Sequence, residues 1–171
     1  HEKTLSPGNR AALERAARAG AEIVIATGRI YRAVPPQVRE LPFLRYFILM
    51  NGAKVYDRRK DKVLYRAEIP LVTAERIFRD MEGVDATVDC YQNDEGLMDR
   101  RFLDNLEHYI RDPESIRLVR MTRRPCDDFR AAARAGGDSV QKVQFYFPDL
   151  QERARVKAWL EERYPETVLS I

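Results

Sequence analysis

Glu22-Ile23-Val24-Ile25-Ala26-Thr27-Gly28-Arg29 is the stretch on which the reading of this chain turns. Its first five residues form a short run rich in β-branched side chains. That is the pattern of a strand buried on both faces, as in a parallel sheet. A helix is expected on each side of it. Upstream, residues 9–19 are rich in Ala and Arg, with Ala12, Leu13, Ala16 and Ala17 on one face. Ser6-Pro7 has the form of an N-cap followed by a first helical position, and Gly20 stands where a helix end takes a left-handed residue. Downstream, residues 31–40 read as a second helix. This alternation defines an α/β fold. In such sheets ligands gather outside the carboxyl ends of the strands, where Thr27, Gly28 and Arg29 fall. A threonine hydroxyl can bond a phosphate oxygen, a glycine lets backbone approach an anion, and an arginine adds charge. An ordinary turn after a strand would account for the same three residues.

Tyr46-Phe47-Ile48-Leu49-Met50 reads as the next buried strand, ended by Asn51-Gly52-Ala53. Asn51 and Gly52 could face the same crevice as Thr27, although Asn-Gly is also a common turn because both residues tolerate positive φ. Residues 53–56 and 62–65 look like a hairpin about the charged turn 57–61. The character changes after Ile69-Pro70, so two units are expected, residues 1–69 and 70–171. In the second, residues 71–81 form an amphipathic helix with Ala74, Ile77, Phe78 and Met81 on one side. Expected strands at 86–92, 116–121 and 140–147 then alternate with helices at 101–110, 127–135 and 150–163. Residues 167–171 are strand-like. Helices are expected on one face of this sheet, leaving the other half-wet. Val156, Trp159 and Leu160 mark the core face of the last helix, and His108 reads as a surface residue late in its helix.

The 171 residues are 44% hydrophobic and 33% charged, enough apolar content to bury a core and too much for a disordered tail. No apolar stretch approaches the roughly 20 residues that a bilayer requires. The chain begins at His1 without Met or a signal sequence, so a cytoplasmic location is expected, with the true N-terminus upstream. Cys90 and Cys126 lie 36 residues apart without a Cys-x-x-Cys spacing, and read as small buried side chains rather than a disulfide or zinc site. The net charge is +3, which gives no footprint for nucleic acid or membrane. Twenty-four arginines against six lysines are spread over the whole chain and carry no recognition signal.

Taken in order, these features resemble a known family. Leu5-Ser6 with its Ala-rich helix, Ala19-Gly20 and the strand after it, Thr27-Gly28-Arg29, and residues 46–50 with Asn51-Gly52-Ala53 look like the Cof-type branch of the haloacid dehalogenase-like hydrolases. The resemblance continues past Pro70, where that branch inserts an α/β cap. It implies a partial Rossmann-like core over residues 1–69 and a substrate-choosing cap over 70–171. It also implies a Mg²⁺-dependent phosphatase of small phosphorylated metabolites. In that family an aspartate attacks phosphorus, a second Asp two residues later acts as acid and base, and Mg²⁺ neutralises the phosphoryl oxygens. By resemblance, Thr27, Gly28, Arg29, Asn51 and Gly52 are phosphate-binding.

No Asp-x-Asp occurs in the chain. The resemblance places that motif before His1, and the family's lysine and acidic metal-binding motifs beyond Ile171. Lys142 is not that lysine, since it precedes a strand inside the cap-like region. Gly137-Asp138 is a decoy, followed at once by the strand-opening Ser139-Val140-Gln141. No catalytic or metal-ligating residue is therefore expected among these 171, and the chain alone is expected to be inactive. The bare edge of the strand at 23–26 is a further expectation. The alternative is a non-catalytic binding module in which Arg117, Arg120, Arg123 and Arg124 lie beside Tyr91, Phe145 and Tyr146 on neighbouring strands. That pattern suits single-stranded nucleic acid. Asp127-Asp128 follow immediately, and nucleic acid is not the favoured partner.

Overall fold

The structure is a computed structural model and describes residues 4–170. The chain divides between Ala67 and Glu68 into two compact units.

The first unit opens with α1 (Pro7–Arg18), where the Ser6 hydroxyl accepts the Asn9 amide at 3.2 Å and Pro7 occupies the first turn. No residue of α1 is fully buried and Ala12 is exposed, so its small-residue face lies only partly covered. β1 (Ile25–Ala26) follows, far shorter than the five-residue strand expected. It pairs in parallel with β2 (Tyr46–Leu49) at the edge of a sheet of order β1-β2-β3-β4. It has a partner on one side only and is not buried on both faces: Ile25 is half-buried, Ala26 is exposed, and Val24 just before it is 42% exposed. The edge expected to lie bare is the outer edge of the sheet.

A continuous helix over 31–40 does not form. A 3₁₀ turn at Tyr31–Ala33 is separated from the single-turn α2 (Pro36–Arg39) by Val34 and Pro35, both extended. Each of these precedes a proline, whose ring excludes the helical region for the residue before it. Ile30, Val34, Leu41 and Leu44 are still buried, as are Phe47 and Leu49 of β2. A 3₁₀ turn over Met50–Gly52 leads into the antiparallel pair β3 (Lys54–Asp57) and β4 (Lys62–Arg66). Asp57 organises their turn: one carboxylate oxygen accepts the Arg59 and Lys60 amides at 3.0 and 3.2 Å, and the other accepts Arg45 Nη2 at 2.7 Å.

In the second unit, β5 (Ile69–Pro70) leads into α3 (Leu71–Asp80), whose Ala74, Ile77 and Phe78 are buried as its periodicity requires. β6 (Asp89–Gln92) and β7 (Glu95–Asp99) form a hairpin through Asn93-Asp94, both at positive φ (52° and 61°), the geometry of a type I′ turn. The second strand of this hairpin was not expected. Two single-turn helices, α4 (Arg100–Leu103) and α5 (Leu106–Tyr109), replace the single helix expected over 101–110.

The strand expected at 116–121 is a helix, α6 (Pro113–Thr122), capped by Asp112, which accepts the Ser115 amide at 2.8 Å. Cap and Pro113 together start a helix that the apolar residues alone did not betray. The strand falls one step later, at β8 (Arg123–Cys126). α7 (Phe129–Ala135), β9 (Ser139–Val140), β10 (Lys142–Gln144) and α8 (Leu150–Arg163) complete the unit. Residues 167–170 form no strand, and Ile171 lies outside the described residues.

The main sheet has the order β10-β6-β7-β8, while β5 and β9 make a separate pair. One face buries Cys90, Leu97 and Cys126 against Phe78 of α3 and Phe129 of α7. Both cysteines are free and buried. Helices also cover part of the second face, contrary to the one-sided packing expected. β7 and β8 run parallel, so the chain between them must cross over, and α4 to α6 pack on Met98 through Leu103, Leu106, Ile110 and Val119.

Candidate functional site

The parallel pairing of β1 with β2 brings the two candidate loops together. Beyond the last ladder position the Thr27 amide donates to Ile48 O at 2.9 Å, and the Asn51 amide donates to Thr27 O at 3.2 Å. The Met50 amide donates to Arg29 O at 3.2 Å. Thr27, Gly28 and Arg29 thus run alongside Met50, Asn51 and Gly52 at the carboxyl ends of neighbouring strands. The chain turns sharply there, with Met50 and Asn51 at φ of 49° and 57°. The two loops approach closely at Gly28, where a Cβ would lie 2.4 Å from Asn51 Oδ1.

The Thr27 hydroxyl accepts the Arg29 amide at 3.3 Å, which fixes the loop and leaves the hydroxyl proton to donate outward. Arg29 Nη1 donates to Ala33 O at 3.0 Å, so the guanidinium is braced against the following turn. Thr27 and Arg29 are half-buried, while Gly28 and Asn51 are exposed. The arrangement offers a hydroxyl, exposed backbone and an amide side chain to one small polar ligand.

The acidic residues of the β3–β4 turn lie at the other end of the sheet, where Asp57 pairs with Tyr46 at the start of β2. Asp57 is held by Arg45, whose hydrogen bond pulls its carboxyl below the usual carboxylate range against the opposing effect of burial. Asp61 accepts from the Tyr56 hydroxyl at 2.7 Å, and that bond raises the Tyr56 pKa to about 12. Among the described residues no three His, Cys, Asp or Glu side chains gather where they could hold a metal ion. None of Thr27, Gly28, Arg29, Asn51 and Gly52 carries a carboxylate, so these five residues do not supply the oxygen donors that Mg²⁺ requires.

A family model described as haloacid dehalogenase-like hydrolase matches residues 1–171. The chain belongs to the haloacid dehalogenase-like hydrolases. Among solved structures this chain is similar to a haloacid dehalogenase-like hydrolase from Bacteroides thetaiotaomicron (21% identity, TM-score 0.73, covering 95% of this chain and 58% of that one). It is also similar to a phosphatase of the haloalkanoate enzyme superfamily from the same organism (21%, TM-score 0.67, 91% and 53%). A subclass IIB sugar phosphatase of the superfamily is a third similar structure (19%, TM-score 0.61, 89% and 55%). At such identities the likeness is one of fold. The chain spans little more than half of each of these structures. No curated protein sequence matches it.

The basic-strand arrangement of the binding-module reading does not occur in this chain. Arg117 and Arg120 lie on helix α6, Arg123 is buried, and Arg124 pairs with Glu95 at 3.0 Å. Tyr91 is buried beneath Arg123, and Phe145 belongs to an apolar cluster. The strand register that would have aligned these arginines is lost because residues 113–122 are helical. His108 pairs with Asp85 at 3.1 Å on the surface. Asp138 is exposed, and its carbonyl accepts the Leu71 amide at 2.7 Å.

One polar constellation escaped the sequence reading: Asp89, Arg123 and Lys142, brought onto one sheet face from positions far apart in the chain. Its only sequence signal is a charged residue alternating with apolar ones in Val88-Asp89-Cys90.

Proposed function

We propose that this chain supplies the phosphate-gripping loop and the substrate-choosing part of a phosphatase acting on small phosphorylated metabolites. The observation that carries the reading is the Thr27-Gly28-Arg29 loop zipped by backbone hydrogen bonds to Met50-Asn51-Gly52, at the carboxyl ends of parallel strands. Membership of the hydrolase family supports it. Thr27 Oγ1 donates to a phosphoryl oxygen, Asn51 and the backbone at Gly28 and Gly52 line the pocket, and Arg29 adds positive charge. Residues 70–171 act as the cap that selects the substrate. The attacking aspartate that takes up the phosphoryl group comes from outside these residues. So do the ligands of Mg²⁺, the cofactor that the family resemblance implies. Residues 4–170 hold no membrane-crossing helix, in keeping with a small diffusible substrate.

The test compares the 171-residue chain with a longer polypeptide that adds the Asp-x-Asp-Gly-Thr strand and the remaining acidic motif. With an aryl phosphate and Mg²⁺, the short chain is expected to be inactive and the longer one active. In the longer polypeptide Thr27→Ala should lose about 2–4 kcal/mol of transition-state stabilisation, as for a lost oxyanion donor. Asp138→Asn should leave the rate unchanged. Full activity from the 171 residues, or sensitivity to Asp138 but not Thr27, would overturn the reading.

A further inference from the structure

Strand register places Lys142, Tyr91, Gly96 and Arg123 in one row across β10, β6, β7 and β8. Gln144, Asp89, Met98 and Pro125 form a second row on the same face. The residues between the rows, Cys90 and Leu97, point into the opposite core. At Gly96 the row has no side chain. A Cβ there would come within 2.9 Å of Arg123 Cδ and 3.3 Å of Tyr91 Cε1. The Arg123 side chain therefore crosses β7 over bare backbone. Its guanidinium lies 4.5 Å from the centre of the Tyr91 ring. Nε donates to Asp89 Oδ2 at 2.5 Å, and Nη1 donates to Thr122 Oγ1 at 2.6 Å.

The Arg123 and Asp89 side chains are 2% and 0% exposed. Burial is the largest single effect on the Arg123 cation and works against it, but Asp89 together with Tyr91 and Tyr146 outweighs it and the guanidinium stays charged. Lys142 stands beside this pair, half-buried. Burial pulls its pKa down, Asp89 resists and Arg123 adds to the fall. Among the described residues no carboxylate forms an ion pair with its ammonium group. Asp89 Oδ1 is itself buried without a hydrogen-bond partner, so its pull on Lys142 acts through space.

One carboxylate thus serves two cations, and the face keeps a surplus positive charge. A stabilising ion pair needs no second, partly desolvated cation, which only adds cost. The surplus sits at an accessible place. β10 is the outer strand of the sheet, and Lys142 and Gln144 on it and Tyr146 two residues beyond its end are all half-buried. Gln144 Nε2 donates to the Tyr146 hydroxyl, which leaves that hydroxyl's proton free to donate to a ligand.

We propose that Lys142, Gln144 and the Tyr146 hydroxyl form an oxyanion-binding subsite over the buried Arg123–Asp89 pair, taking the phosphate or carboxylate group of a small metabolite. That the oxyanion belongs to the substrate rests on the phosphatase reading; the subsite itself does not.

The 171-residue chain, labelled with ¹⁵N, is titrated at constant ionic strength with inorganic phosphate and, separately, with succinate. At least one anion is expected to shift the Tyr91, Lys142 and Gln144 amides saturably, and the tighter of the two identifies the acidic group preferred. Lys142→Gln should weaken this binding about tenfold or more, as removal of a charge-assisted donor does, while Lys142→Arg retains it. Thr27→Ala should leave these shifts intact, because it alters only the loop of the first unit. Silence at these three amides with both anions, or identical shifts in Lys142→Gln, overturns the subsite. Silence confined to the Thr27 loop overturns the phosphate-loop reading instead.

Discussion

Two glycines answer differently to the same added methyl group, because of what each would meet. At Gly28 the clash is with the end of the Asn51 side chain, which can rotate away. Gly28→Ala should therefore leave the thermal midpoint almost unchanged, while the Asn51 side-chain amide resonance moves and phosphate response at the loop is lost. At Gly96 the added Cβ meets Thr122 O of the backbone at 2.6 Å as well as Arg123. Backbone cannot step aside, so Gly96→Ala should cost about 1–3 kcal/mol in denaturant unfolding, the range for overpacking a close contact. An equal and small effect at both positions would show that β8 yields more readily than its packing implies. Gly28 was legible as a candidate because it follows a strand end. Gly96 was not, because the chain that crosses over it arrives 27 residues later.

Elements are decided by their ends as much as by their apolar spacing. Residues 116–121 carry Ile116, Leu118, Val119 and Met121, a short apolar set that fits a strand or a helix equally. Asp112 and Pro113 break the tie, since an N-cap followed by proline fixes the first turn. Asp112→Ala should destabilise the second unit by about 1 kcal/mol, measured by urea unfolding. It should also speed amide exchange at Ser115, whose partner it removes. In the core, Phe78 is 3% exposed and meets Phe129 edge-on with ring centres 4.9 Å apart. Phe78→Ala should cost about 3–5 kcal/mol, the cost of an emptied aromatic site. A loss no larger than that of Asp112→Ala would mean that α3 collapses onto the sheet and fills the space.

Each unit of the molecule is tied by a carboxylate whose proton affinity falls on folding. Asp57 is held by its hydrogen bond from Arg45, and Asp80 by its hydrogen bond from Arg163, with burial opposing both. A carboxylate with a lowered folded pKa stabilises the fold at every pH above its unfolded value of about 3.9. That contribution is lost as pH falls through the lower, folded value. The stability that these two carboxylates supply should hold from neutral pH down to about pH 4 and be lost progressively below, whereas Asp89, whose pKa burial raises, titrates in the opposite sense. Asp57→Asn should flatten the acid limb for amides of the first unit, and Asp80→Asn for those of the second, as read by hydrogen exchange. An acid limb that neither substitution alters would assign acid unfolding to other groups.

The sequence by itself determined what depends on neighbours along the chain. Ser6-Pro7 starts α1, Asp149 starts α8, the spacing of Ala74, Ile77, Phe78 and Met81 sets the buried face of α3, and Thr27-Gly28-Arg29 ends a strand. These are effects of caps, period and turn chemistry, all acting within a few residues. The tertiary structure alone decided what depends on which strand lies beside which. It made β1 a two-residue edge, turned the second sheet face into a seat for α4 to α6, and zipped the Thr27 loop to Asn51. It also brought Asp89, Arg123 and Lys142 together over Gly96. Pairing register and crossover are contacts across long sequence separations. No local pattern encodes them, and only the assembled sheet makes one carboxylate answer to two cations.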